Sequence, residues 1–264
     1  MIASRMFALL AAGVLYFSGP VLGAEVKVMI SGGVSAAYSE LVPQYERATG
    51  NTVITARGAS MGDSPTSIPI RMRRGEQVDV LIMVGDALDA LLKEGKVVPG
   101  SRVDLSRSII GMAVRAGAPK PDISSVDAFK RAMLAAKSAA YSESASGVYL
   151  STNLFPRLGI AAAMNPKSKK ISGEPVGAAV ARGEAEIAFQ QISELRPVAG
   201  IDIVGPLPPE LQVVTIFAAG IATGARDANL ARGLIAFLAS PAAAAAIEKS
   251  GMEPIASESQ SGRR

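Results

Sequence analysis

From residue 25 onward, short runs rich in β-branched residues alternate with longer stretches whose apolar residues recur at helical spacing. That alternation restricts the chain to an α/β architecture with mostly parallel sheets. "EVKVMI" (25–30) reads as a strand and "VSAAYSELVPQYERATG" (34–50) as a helix stopped by glycine. "NTVITA" and "VDVLIMV" are the next strands, separated by an arginine-bearing loop and the short helix "SIPIRMRRG"; "DALDALLKEGK" is the helix that follows. The run "RSIIGMAVRAG" (107–117), followed by the proline-marked "APKPDIS", predicts a strand that leaves one lobe for another. A second alternating set runs through "SAAYSE", "GVYLSTNLFPRLGI", "GAAVARGE" and "AEIAFQQ". After the proline-rich "VGPLPPELQ", the almost wholly apolar "VVTIFAAGIA" (213–222) predicts a buried strand, and "NLARGLIAFLAS" and "PAAAAAIEKSG" predict the closing helices. The expected division is a first lobe over 24–115 plus 213–256, a second over 116–212, and a disordered tail over 257–264, "SESQSGRR".

Residues 1–23 stand outside this pattern. Arg5 precedes the apolar "MFALLAAGVLYF", then "SGP" and the small residues of "VLGAE", the layout of a secretory signal peptide cleaved after Gly23 or Ala24. The apolar run is short for a bilayer span, which takes about 20 residues. No cysteine follows to accept a lipid, so the mature chain is expected in the periplasm.

Composition removes several chemistries. The 264 residues include no histidine, which excludes Ser-His-Asp and Cys-His catalysis, histidine zinc sites and any imidazole proton transfer. There is no cysteine and hence no disulfide. The net charge of +4, one unit of it from Arg5, is mild; the bases are scattered and tryptophan is absent, so no nucleic-acid partner is expected. Acid–base chemistry falls to Asp, Glu, Lys, Arg, Tyr or Ser.

Ligands of open parallel sheets lie outside the carboxyl ends of the strands. Four loops occupy that location: Ser31-Gly32-Gly33, Arg57-Gly58-Ala59-Ser60, the "SESASG" loop with Glu143, Ser144, Ser146 and Gly147, and Gln190-Gln191. Serine and glycine also start helices for purely local reasons. Their recurrence at equivalent places of two lobes favours a shared site. "ITARGASMGDSPTSIPIRMRRGE" (54–76) sets Arg57, Arg71, Arg73 and Arg74 around a loop of glycine, serine and proline, a combination suited to a multiply charged anion. Positions 71 and 74 share a helix face and 73 points elsewhere. Arg57, ending a strand directly before the Gly58 turn, is the first ligand candidate, with a structural ion pair as the alternative; Arg71 is the second.

The blocks "VKVMISGGVSAAYSELVPQYERATGNTVI", "IPIRMRRGEQVDVLIMV", "AYSESASGVY" and "AVARGEAEIAF" resemble, in this order and over nearly the whole mature chain, the periplasmic solute-binding proteins of the molybdate-binding type. The resemblance implies the type 2 periplasmic-binding-protein fold, a monomer of two α/β lobes joined by two crossing strands with a small anion in the cleft. Matching of the blocks puts Ser31 and Ser60 at the first-lobe hydroxyl ligands, and Ser146-Gly147 and Gln190-Gln191 near the second-lobe ligands. The chain departs from that family in its fourth loop, where Gln190 or Gln191 replaces a usual tyrosine, and in its first, which is "SGG" rather than a run of alanines and serines. Those binders hold their oxyanion with neutral donors, whereas the arginine-rich loop here argues for carboxylates.

"ARGASMGDSPTSIPIRMRRGE" together with "FPRLGI" is similar to a narrower branch of the same fold, the aconitate isomerases. That likeness implies a tricarboxylate ligand and a 1,3 proton shift between cis- and trans-aconitate, needing neither metal nor organic cofactor. Its base must be a group other than histidine. Glu143 is the first candidate, with Tyr149 and Asp63 after it, and a merely solvent-facing Glu143 is the alternative. The competing expectation is a transport receptor that delivers a molybdate-like oxyanion or an organic carboxylate to an ABC permease.

Overall fold

The computed structural model describes residues 23–255; the expected signal peptide up to residue 22 and the expected tail lie outside them. Ten strands occur among the described residues: β1 (Glu25–Ile30), β2 (Thr52–Arg57), β3 (Val80–Val84), β4 (Val103–Arg115), β5 (Ala139–Ser142), β6 (Ser168–Ile171), β7 (Ile187–Gln191), β8 (Ile201–Pro206), β9 (Val214–Ile221) and β10 (Glu253–Pro254). They follow the order β2-β1-β3-β9-β4-β7-β5-β6, with β8 and β10 also on β4.

In the first lobe β1 pairs in parallel with both β2 and β3, so the carboxyl ends Ile30, Arg57 and Val84 open on one edge of the sheet. β3, "VLIMV", is buried along its whole length because it lies between β1 and β9 with both faces covered, and its continuous apolar run reflects that. In the second lobe β5 pairs in parallel with β6 and β7, which brings Ser142, Ile171 and Gln191 out together.

The lobes are joined through β4. Its stretch Val103–Ile109 runs antiparallel to β9, and from Ile110 onward it pairs with β7 and β8. Where the partner changes, the Gln212 amide accepts from the Ile110 N–H and donates back to the Ile110 carbonyl, both at 2.9 Å, so the backbone groups there stay satisfied.

The side chains divide accordingly. One buried cluster gathers β1, β3 and β9 with the helices Ser35–Thr49 and Ala228–Leu238. In the second lobe β7 alternates: Ile187 and Phe189 enter a cluster with Phe129, Leu150 and Phe155, while Ala188 enters another with Val176 and Val180. The Phe189 and Phe129 rings lie tilted, 6.0 Å apart.

Strand pairing differs from expectation at three points. β4 begins at Val103, four residues before the apolar run, because β9 pairs with its polar start. β6 is an edge strand of four residues whose exposed lysines 169 and 170 break any apolar alternation. β8 ends in Gly205 and Pro206, residues that read as loop, and is held by β4 across a register shift at Met112/Ala113.

Candidate functional site

The two sets of strand ends face each other across a cleft of about 580 Å³, within the range of small-molecule sites. The first lobe contributes the turn Gly32–Val34, which leads into the 15-residue helix Ser35–Thr49, and the end of β2. The N-terminus of that helix carries partial positive charge toward the cleft. The second lobe contributes the loop after β5 and the end of β7. Phe217 supplies an apolar floor close under Gly33, where a side-chain methyl would overlap the ring.

Ser31 lies at the start of the Gly32–Val34 turn, yet its side chain makes no capping hydrogen bond; the residue is 3% exposed and its Oγ is buried without a partner among the described residues. Local helix-start chemistry therefore does not account for it. Gln191 Oε1 and Ser193 Oγ are likewise buried, unpartnered and on the cleft wall. The Gln191 Nε2 donates to Thr215 Oγ1 at 3.0 Å, and rotating the amide would let Thr215 donate instead and turn the NH2 toward the cleft. Unsatisfied buried polar groups are uncommon in folded proteins, so three lining one cleft point to a polar ligand.

Arg57 reaches the cleft from the end of β2 with its guanidinium held by hydroxyls: Nη1 donates to Ser35 Oγ at 2.7 Å and Nη2 to Ser39 Oγ at 3.3 Å. Among the described residues it makes no ion pair, so no carboxylate neutralises its charge there.

Several residues expected at the site do other work. Arg71 Nε donates to Glu76 Oε2 at 2.7 Å, its Nη2 pairs with Glu76 Oε1, and its Nη1 donates to the Arg57 carbonyl at 3.0 Å, so it braces the Arg57 backbone outside the cleft. Arg73 pairs with Glu94, and Arg74 donates to the Pro65 carbonyl. Ser60, fully buried, accepts the Val84 N–H at 3.0 Å and does not line the cleft. Gly147 lies behind the wall, where a Cβ would strike the Ser142 carbonyl, so glycine is needed there for packing. Tyr149 packs against the second-lobe core and donates to the Leu211 carbonyl at 2.9 Å, away from the cleft. Asp63 is exposed outside it.

Glu143, Ser144 and Ser146 line the cleft. Glu143 is buried, its Oε2 accepting from Ser172 Oγ at 2.9 Å beneath Gly62 of the arginine loop. The alternative of a solvent-facing Glu143 is thus removed. Ser146 Oγ shares a hydrogen bond with Ser142 Oγ at 3.1 Å. Gln190 lines the wall as well, its Oε1 accepting the Val176 N–H and its Nε2 donating to Glu194 Oε1, both at 2.9 Å.

Glu194 was not among the sequence candidates. It sits in the one-turn helix Ile192–Leu195, four residues beyond Gln190, and burial pushes its carboxyl up to about 7 against the opposing pull of the Gln190 amide and Gln191 N–H. Its only sequence signal is that i, i+4 spacing from a strand-end glutamine. Ser35 and Ser39, one helical turn apart, also escaped notice as the hydroxyls that hold Arg57.

Two α/β lobes bridged by β4, with strand ends and a helix N-terminus converging on a polar cleft, define a periplasmic binding protein of the type 2 fold. Residues 26–253 match the family of bacterial extracellular solute-binding proteins, and the chain belongs to it. It is 48% identical over 255 residues to the aconitate isomerase of a Pseudomonas species, covering 95% of this chain and 97% of that one. It is 27% identical to the molybdate-binding protein ModA of Azotobacter vinelandii over 94% of this chain and 96% of that one. The solved periplasmic molybdate-binding protein of Azotobacter vinelandii superimposes with a TM-score of 0.68 at 19% identity, over 86% of this chain and 98% of its own, which shows the shared fold. Members of this family work outside the cytoplasmic membrane, and the cleft's partner is a small solute.

Proposed function

We propose that this chain is a periplasmic aconitate isomerase, which holds the tricarboxylate between its lobes and moves the double bond by a 1,3 proton shift. The observation that carries this conclusion is the 48% identity to the Pseudomonas aconitate isomerase over 95% of the chain. The cleft supports it physically. A small polyanion needs a cation and many donors, and Arg57, the helix N-terminus at Gly32–Val34 and the hydroxyls of Ser31, Ser144, Ser146 and Ser193 converge there. Loss of the proton puts negative charge on an allylic system conjugated with the carboxylates, which the same groups stabilise. Positioning between two lobes supplies much of the remaining rate. The division into lobes at about residues 115 and 213, a signal peptide over residues 1–23 and action as a monomer complete the proposal.

A second function, a receptor that hands an oxyanion or organic carboxylate to an ABC permease, is favoured by the family match and by the 27% identity to the molybdate-binding protein. Purified mature protein in deuterated buffer with cis-aconitate separates the two. The expected result is a proton spectrum in which the trans isomer grows with time. Binding with an unchanged spectrum would establish a carboxylate receptor, and absence of binding would direct the search to molybdate and its relatives.

A further inference from the structure

An ionised carboxyl on the wall of an anion cleft repels the ligand, so Glu194 calls for a role other than binding. Its side chain reaches Gly32 of the first-lobe turn, where a Cβ would overlap Glu194 Oε1. Its orientation is set by a chain of one-way hydrogen bonds. The Val176 N–H can only donate, so it fixes Gln190 Oε1; the Gln190 NH2 must then face Glu194 Oε1. On the same cleft are the three unpartnered polar atoms Ser31 Oγ, of the residue before Gly32, and Gln191 Oε1 and Ser193 Oγ, of residues within three of Glu194 in the chain, each in a residue no more than 3% exposed. A ligand that satisfies those atoms lies against Glu194.

Building on the isomerase proposal, we infer that Glu194 is the acid–base residue: its carboxylate takes a proton from the substrate methylene and returns it to the former vinyl carbon. In the first half a C–H bond breaks, an O–H bond forms on Glu194, and the electron pair enters the allylic system. In the second half the O–H bond breaks, a C–H bond forms at the other allylic carbon, and the double bond has moved by one carbon. Atoms and electrons balance without a co-reactant, and the enzyme ends as it began.

Burial brings the carboxyl to about 7, near the pH at which a single group both accepts and returns a proton efficiently. The groups that offset burial, the Gln190 amide and Gln191 N–H, do not ionise, so the environment is not itself titrating in that range. Of the elements packed on this helix, β7 and the Gly32–Val34 turn carry no ionisable side chain. On β4 and the helix Ser35–Thr49, Asp104, Arg107, Glu40 and Glu46 are engaged by Arg102, Glu253, Lys249 and the Val53 N–H, and Arg115 and Arg47 lie at the far ends. The other ionisable groups on the cleft wall are Arg57, Glu143 and Glu174, and Glu174 is paired with Arg182. Arg196, directly after the Glu194 helix, donates to the Lys249 carbonyl.

The test compares wild type, Glu194→Gln, Glu143→Gln and Gln190→Met for turnover of cis-aconitate, solvent deuterium incorporation and binding by calorimetry. Glu194→Gln is expected to keep its melting curve and its affinity within about fivefold while kcat falls by at least about 10²-fold, the typical contribution of a general acid–base group. Gln190→Met removes the donor that opposes burial, so the acidic limb of its kcat/KM profile moves to higher pH than in wild type. Turnover by Glu194→Gln within fivefold of wild type, or a limb that stays in place in Gln190→Met, overturns the assignment; loss of turnover only in Glu143→Gln gives the role to Glu143. Wild type without turnover removes the isomerase function and this role together, whereas active wild type with active Glu194→Gln removes this role alone.

Discussion

Replacing Gly32 by alanine adds a single methyl group at the point where the first lobe meets the Glu194 carboxyl. The backbone there is in a short helical turn with negative φ, which alanine adopts freely, so the substitution brings no conformational strain of its own. The new Cβ would overlap Glu194 Oε1, with Cδ next at 3.2 Å. Carbon and carboxylate oxygen rest about 3.3–3.6 Å apart, so the carboxyl must retreat by roughly 1 Å. It can, because it is the far end of a flexible side chain, and the fold should not suffer. A displacement of about 1 Å at a reacting group costs on the order of 10²-fold in rate, or about 2.7 kcal/mol of transition-state stabilisation. The expected result is kcat down by about two orders of magnitude with an unchanged or slightly raised melting temperature. Steady-state kinetics on cis-aconitate beside a thermal melt measures both. A kcat within about threefold of wild type would refute the reasoning, since the carboxyl would then tolerate displacement. A rate loss accompanied by a large drop in melting temperature would refute it too, because the defect would be global.

Arg57→Ala should weaken tricarboxylate binding by roughly 10–100-fold, the worth of a charge-assisted hydrogen bond at about 1.5–3 kcal/mol, without changing the melting curve. Unchanged affinity in calorimetry would detach the arginine from the ligand. Asp79 offers a test of stability against pH. Burial pushes its carboxyl up, but the Lys27 and Arg226 N–H groups and then the Arg226 guanidinium outweigh it, and it is held below its ordinary 3.8. With the folded value below the unfolded one, its stabilisation is present above about pH 4 and is lost as the pH falls through the folded value. Urea unfolding of Asp79→Asn should therefore show a deficit of about 1.5–3 kcal/mol at pH 7 that narrows at pH 3. An equal deficit at both would show that ionisation plays no part.

The strands β1, β3 and β7, the passage through 107–117 and the return through 213–222 were visible in the order of apolar runs, because a strand covered on both faces is apolar along most of its length. β6 and β8 were not, since edge strands need no such pattern. At the site, Arg57 was legible from its place directly before a turn at a strand end. Arg71 looked equivalent and is not: Glu76, five residues on and across the Gly75 turn, takes its guanidinium. Glu143 was placed on the cleft by its loop, while Tyr149, only six residues later, was carried round the helix into the second core.

Sequence alone determined that this chain would be two α/β lobes with serines, glycines and an arginine at the strand ends, since local periodicity and residue type decide which segments pair and what charge they carry. The tertiary structure decided which of four arginines reaches the cleft and which carboxyls line it. Those outcomes depend on contacts such as Glu194 with Gly32 and Gln190 with Val176, in which residues distant in sequence withdraw one half-buried side chain from part of the solvent and shift its ionisation. Burial is a property of the assembled surroundings, and a one-turn helix carries no pattern long enough to announce it.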